Sequence, residues 1–454
     1  MADGGSPCSS LLRSWRSKST SAQSASGGPD VVVLTYGTSL PKRWLLGLSA
    51  ALHNVPLVLV GFGHTWNASD TMAKVFGTLR AVSTLHEAVE PSTLIVFADA
   101  SDSMLVNTPS TWRSSIDDAY DADVTTSIGG RESPRGHRRS AVLVSGECSS
   151  YPTCYASLYA RTAPNHVAEC AMRRRRGLSR ACYVNSGTFM ASSRALLEWL
   201  PAVTAMAKDA VGVEANDDQA AIHRHFLRTA ATASAARSAT SIDRLSSTFL
   251  TLYPCKADSR PLARYSRADG RTECHNEGRG GYAPLDYAAV GSDGGLTMHD
   301  YAVRAAPSTR LAGRKTDASH ATRRPLIAHA NGMHFLLETM LRIWDNQLDE
   351  DATNSTARSS RWRGPTLGSR LWPPKPSLLE HPILLVDPAG STTFQRRDSP
   401  PPGAESAAGP ARGCTMRVTT LGDILPPAAR RMSLLWLAQE KKRRRAAPDR
   451  SNVQ

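Results

Sequence analysis

The segment TLIVFADASDSML, residues 93–105, constrains the chain most. Leu94, Ile95, Val96 and Phe97 form an unbroken apolar run that reads as a buried strand. The run ends in two carboxylates, Asp99 and Asp102. Ligands gather at the C-terminal edge of open α/β sheets, and paired carboxylates there suit a hard divalent cation. The same aspartates could instead end a strand and cap a turn or helix.

Similar runs alternate with helical patterns. Residues 30–37, 56–63, 141–147, 182–191 and 325–332 read as strands, and residues 42–53, 70–89, 195–207, 217–228 and 334–344 as helices. Such alternation predicts an α/β domain with a largely parallel sheet. That domain is expected to span residues 30–350, with a flexible insertion at about 256–324 where Gly, Arg and Ser dominate. Residues 1–29 and 351–454 are expected to be disordered, the latter a basic low-complexity tail with apolar islands at 382–390 and 432–440.

Composition narrows the class. The chain has 454 residues, 41% of them hydrophobic, enough for a sizeable core. Its apolar runs are too short for a transmembrane helix, and the N-terminus has no continuous apolar segment of the kind a secretory signal needs. The formal charge is +14, with basic runs at Arg173–Arg176, expected in a loop, and Lys441–Arg445. These read as solvated segments, as a nuclear address or as contacts to nucleic acid or acidic surfaces. No aromatic residues interleave with the second run, so a base-stacking surface is not supported. Eight cysteines include no C-x-x-C pair, which leaves zinc-finger spacing unmatched. Four lie between Cys148 and Cys182, as one or two disulfides or as reduced thiols.

The motifs gain meaning in order: TYGT after the first strand, Trp66 and Lys74 after the second, FADASD at the third, VNSGTFMAS, NDDQ before a helix, and HANG after the last strand. Together they resemble the glycosyltransferase domain of the procollagen lysyl hydroxylase family, related to the collagen galactosyltransferases, over roughly residues 30–254 and 325–345. The resemblance implies a GT-A glycosyltransferase fold, a Rossmann-like sheet flanked by helices that binds a UDP-sugar with Mn²⁺ or another divalent cation. It implies that Asp99, Asp102 and His329 hold the metal. Thr35 and Tyr36 would line the uridine, Trp66 would cover the nucleotide, and Lys74 would meet the diphosphate. Asn185, Gly187, Asn331 and Gly332 would approach the nucleotide-sugar, and Asp218, with Asp217 beside it, would face sugar and acceptor as the catalytic carboxylate.

Each residue has a plainer alternative: core packing for Trp66, a solvated helix face for Lys74, a helix cap for Asp217, an ordinary strand end for His329. The sequence also departs from the family. Thr188 replaces a glycine, only NASDTMA separates Trp66 from Lys74, HANG is followed by Met333 and His334 where the family has a basic residue close by, and the iron-binding motif of a hydroxylase is not found.

The expected activity is transfer of glucose or galactose from UDP-glucose or UDP-galactose to a hydroxyl on a hydroxylysine-type protein or a glycan. The alternatives are transfer to a hydroxymethylated nucleic acid base, and a non-catalytic binding module. The family analogy implies the endoplasmic reticulum, whereas the missing signal implies cytoplasm or nucleus.

Overall fold

Strand β1 (Val31–Tyr36) reads VVVLTY because a strand with helices on both faces is apolar at nearly every position. Apart from short strands within 255–323, the other strands, in chain order, are β2 (Leu57–Val60), β3 (Leu94–Ala98), β4 (Ser103–Leu105), β5 (Val142–Glu147), β6 (Tyr183–Ser192), β7 (Thr240–Asp243), β8 (Phe249–Thr251), β9 (Ile327–His329), β10 (Pro382–Val386) and β11 (Met416–Thr420). The helices are α1 (Leu45–Leu52), α2 (Met72–His86), α3 (Tyr155–Thr162), α4 (Pro164–Arg175), α5 (Ser193–Lys208), α6 (Asp218–Ala231), α7 (Pro376–Leu379) and α8 (Leu421–Ile424). The structure is a computed structural model that describes residues 10–12, 14, 15, 17, 30–41, 43–65, 70–87, 89–108, 111, 112, 114–117, 119, 142–148, 155–175, 181–208, 216–231, 240–244, 246–252, 255, 256, 262–265, 272–275, 281, 282, 288–290, 296–299, 322–331, 337, 374–387, 416–428 and 431–433.

Eight strands form the central sheet in the order β11-β10-β2-β1-β3-β6-β5-β7. Strands β10, β2, β1, β3, β5 and β7 run one way, and β6 and β11 run against them. Alternate residues of one strand face opposite sides of the sheet. Val31, Val33, Leu57, Leu59, Val96 and Ala98 therefore pack with Trp44, Leu45 and Leu48 at α1. Val32, Leu34, Val58, Val60, Ile95 and Phe97 pack on the other side against α2, α5 and α6. A smaller sheet, β4-β9-β8, closes the α1 side with Met104, Leu105, Phe249, Leu250, Ile327 and Ala328.

The expected α/β class and mostly parallel sheet are present, but the expected tail is not a bystander where it is described. Ile383–Val386 of β10 lie in register beside β2, and β11 extends the sheet. PILLV reads as an isolated island because its partner strand lies far upstream in sequence. The N-terminal segment, expected to be disordered, holds a short helical stretch with Leu12 and Trp15 buried. The Trp15 indole N–H donates to the Pro382 carbonyl at 3.4 Å. The segment 256–324, expected as a flexible insertion, contains antiparallel pairings: 262–265 with 272–275, 255–256 with 281–282, and 288–290 with 296–299 and then 322–323. Arg173, Arg174 and Arg175, expected in a loop, end α4 instead. The helix expected at 334–344 lies outside the described residues except Leu337, which is buried. Of the cysteines, Cys170 and Cys182 form a disulfide that ties α4 to the start of β6.

Candidate metal centre

Strand β3 ends at Ala98, and the chain turns through Asp99–Asp102 before re-entering the smaller sheet as β4. Both aspartates thus sit on the crossover between the two sheets. The Asp99 N–H donates to the Gly187 carbonyl at 2.8 Å, and the Ala330 N–H donates to the Asp102 carbonyl at 2.8 Å. These bonds clamp the turn between β6 and β9. Because β6 runs against its neighbours, its first half, with Asn185 and Gly187, lies at the edge where β3 and β5 end.

His329 arrives from the far end of the sequence. Its strand is held by β4 on one side and β8 on the other, with His329 opposite Ser103 and Thr251. A turn after β7 aims β8 there: the Asp243 carboxylate accepts the N–H groups of Ser247, Thr248 and Phe249 at 3.0, 2.7 and 2.8 Å. The His329 ring also needs room, and a Cβ on Gly187 would collide with its Cε1 and Nε2. Gly187 is therefore required by the histidine that lies over it.

The three side chains converge. His329 Nε2 lies 3.5 Å from Asp99 Oδ2 and 3.4 Å from Asp102 Oδ2. One ligand atom from each residue falls within 4.8 Å of the others. Asp102 and His329 are buried, and Asp99 is partly open to solvent. Neither His329 ring nitrogen makes a hydrogen bond of good geometry. Burial alone would lower the His329 pKa, but the Asp102 and Asp99 carboxylates outweigh it and raise it to about 9. The donor set, two carboxylates and an imidazole with its nitrogens unspent, fits a divalent transition metal.

Lys74 extends the cluster from α2. Its ammonium lies 3.1 Å from Asp99 Oδ1 and 2.7 Å from Asp218 Oδ2. Burial opposes its charge, yet Asp218 and Asp99 hold it protonated well above the usual lysine range. Three carboxylates against one ammonium leave two negative charges when His329 is neutral, the complement of one divalent cation. Lys74 is thus no solvated lysine. Asp217 caps α6, its carboxylate accepting the Ala220 N–H at 2.8 Å, and burial raises its pKa. Asp218 is buried, anchored by Lys74, and its N–H donates to the Thr71 hydroxyl at 3.0 Å.

A second carboxylate group, missed by the sequence reading, adjoins this one. Glu147 ends β5 and is buried. It accepts hydrogen bonds from Asn185 Nδ2 at 3.2 Å, Asn331 Nδ2 at 2.9 Å and Gln219 Nε2 at 2.6 Å. Burial pushes its pKa up to about 8 despite those three donors. Asn185 further accepts from the Ser145 hydroxyl at 2.9 Å and the Gly187 N–H at 3.0 Å. Asn331 adopts φ +49°, a left-handed turn that asparagine tolerates better than most residues. The amides of Asn185 and Asn331 are thus bonded within the protein. The signal for Glu147 was present: like Asp99, it is an acid ending a buried run, VLVSGE.

The remaining candidates separate. Thr35 is fully buried and donates to the Ala98 carbonyl at 2.6 Å, so its hydroxyl joins β1 to β3. Tyr36 stands at the end of β1 with its ring over Gly61 and Gly77, where any Cβ would press on it. Trp66 and Gly332 lie outside the described residues. Farther along the same edge, His64 Nε2 meets Asp387 Oδ1 at 3.1 Å, a pair supplied by the segment after β10.

No family model matches the chain, and no curated protein matches it. Among the described residues, no helix is long and apolar enough to cross a membrane.

Proposed function

We propose that the chain is a metal-dependent glycosyltransferase of the GT-A type, moving glucose or galactose from a UDP-sugar to a hydroxyl on a protein or glycan. The observation that carries this reading is the meeting of Asp99, Asp102 and His329, from remote parts of the sequence, at the edge where the parallel strands end. Open α/β sheets bind nucleotides at that edge, and the Rossmann-like sheet is compatible with the proposed fold. Mn²⁺ suits the mixed oxygen and nitrogen donors. When bound, it offsets diphosphate charge and stabilises UDP as a leaving group.

The chain's own residues do the rest. Lys74 holds a fixed positive charge between Asp99 and Asp218. It thereby orients the Asp218 carboxylate, which in this reading receives or directs the acceptor hydroxyl. Asp217 sets the start of α6 and so the position of Asp218. Glu147, with Asn185, Gln219 and Asn331, stiffens the adjoining wall. The Cys170–Cys182 disulfide suits an oxidising compartment, which favours a protein or glycan acceptor over a nucleic acid base.

The test is a panel of UDP-sugars assayed for UDP release with and without Mn²⁺. The expected result is Mn²⁺-dependent release from UDP-glucose or UDP-galactose, accelerated by a hydroxylysine peptide. Silence across the panel, with no UDP binding, would remove the proposal.

A further inference from the structure

Three polar side chains stand in one row across the smaller sheet. His329 is in register with Ser103 on one side and Thr251 on the other. Residues paired across neighbouring strands present their side chains to the same face. All three are buried, and the Ser103 hydroxyl, the Thr251 hydroxyl and His329 Nδ1 make no hydrogen bond within the protein. Buried polar atoms in proteins are nearly always partnered. Three such atoms in one row beside the metal centre are therefore unusual. Met104, Leu250 and Ala328, one residue along each strand, point to the other face and join the apolar core.

We infer that Ser103 and Thr251 are positioning residues of the metal centre, and that their hydroxyls hold His329 by its Nδ1 when the metal is bound. This rests on the metal-binding reading of Asp99, Asp102 and His329. A histidine that ligates through one ring nitrogen gives the N–H of the other to an oxygen, which fixes the tautomer and aims the ligating lone pair. Here Nε2 faces the two carboxylates. Nδ1 then carries the proton and needs an acceptor. One water that accepts the Nδ1–H and donates to the hydroxyls on either side supplies it. Neither hydroxyl has a hydrogen-bond partner within the protein, so both are free to serve His329.

The test sets stability against affinity, with Mn²⁺ alone as the probe. Thr251→Val and Ser103→Ala each remove one orphan without adding bulk. Each variant should melt at a higher temperature than wild type when metal-free, yet bind Mn²⁺ about 10- to 100-fold more weakly by calorimetry. Thr251→Ser keeps the hydroxyl and should restore affinity to within a few fold of wild type. A role confined to packing would not be rescued in this way. Wild-type Mn²⁺ affinity in both Thr251→Val and Ser103→Ala overturns the inference while leaving the metal centre intact. A wild-type protein that takes up no Mn²⁺ removes the metal reading and this inference with it.

Discussion

The two flanks of β1 are built by opposite rules. On the β3 side, Asp99, Asp102, Asp218, Lys74, Glu147 and His329 crowd together, and several polar atoms are left without hydrogen bonds. On the β2 side, Leu57–Val60, Ile383–Val386, Leu12 and Trp15 form an apolar layer in which the strands pair in register. Concentrated charge and unspent donors lower stability, and proteins tolerate them chiefly where they bind or react. The apolar flank does the opposite task. It packs the sheet against its helices so that the charged flank can exist.

The largest effect should come from cutting the apolar flank away. Truncation after residue 350 removes β10 and β11 and bares the edge of β2. It should leave a chain that aggregates or fails to melt cooperatively, read by circular dichroism and size exclusion. A milder version is Trp15→Ala, which should cost about 3–5 kcal/mol in denaturant unfolding because a fully buried indole is lost, with Mn²⁺ affinity unchanged. If the truncated chain folds and melts like the whole protein, the contrast between the flanks is wrong.

On the charged flank, function should break before the fold does. Asp218→Asn should slow sugar transfer by ~10²–10⁴-fold while UDP and Mn²⁺ still bind. A parallel fall in binding would make Asp218 a structural or metal residue. Gly187→Ala should displace the His329 ring and weaken Mn²⁺ binding by at least about tenfold, at a stability loss of roughly 1–3 kcal/mol. Unchanged affinity there would mean that His329 is not a ligand.

The smallest effect is in pH, and the flanks should differ in sign. His329 and Glu147 have pKa values raised to about 9 and about 8 in the folded chain. Their protonated forms are favoured by folding, so this contribution is complete below the unfolded values and fades as pH rises through about 8–9. The metal-free melting temperature should therefore fall from pH 6.5 to 9, and saturating Mn²⁺ should flatten the part due to His329. His381, beside β10, has its pKa lowered to about 4 by burial, partly opposed by its 3.0 Å contact with the Val55 carbonyl. Its contribution is complete above pH 6.5 and fades as pH falls through about 4. Melting curves across the two ranges, on wild type and His381→Gln, separate the limbs.

The sequence showed the local parts and hid the remote ones. Asp99 and Asp102 were legible because an apolar run announces a strand and its end. Gly187 and His329 were legible as motifs, though not as the space and the ring that fills it. The pleat was not legible at Thr35, where it turned the hydroxyl toward β3. Glu147 carried a signal as an acid ending a buried run, but its donors did not, because they come from three separate segments. The strand at 382–386 looked like an island because nothing local marks β2 as its partner. Ser103 and Thr251 carry no signal at all until the register sets them on either side of His329.

The central claim is that Asp99, Asp102 and His329 form one divalent-metal site that carries a nucleotide diphosphate. Calorimetry of Mn²⁺, and of UDP in its presence, on wild type, Asp102→Ala and His329→Ala tests it most directly. Wild type should bind Mn²⁺ and then UDP, whereas both variants should lose Mn²⁺ binding and, with it, metal-dependent UDP binding, while still melting cooperatively. Wild-type affinity for Mn²⁺ and UDP in either variant would contradict the claim.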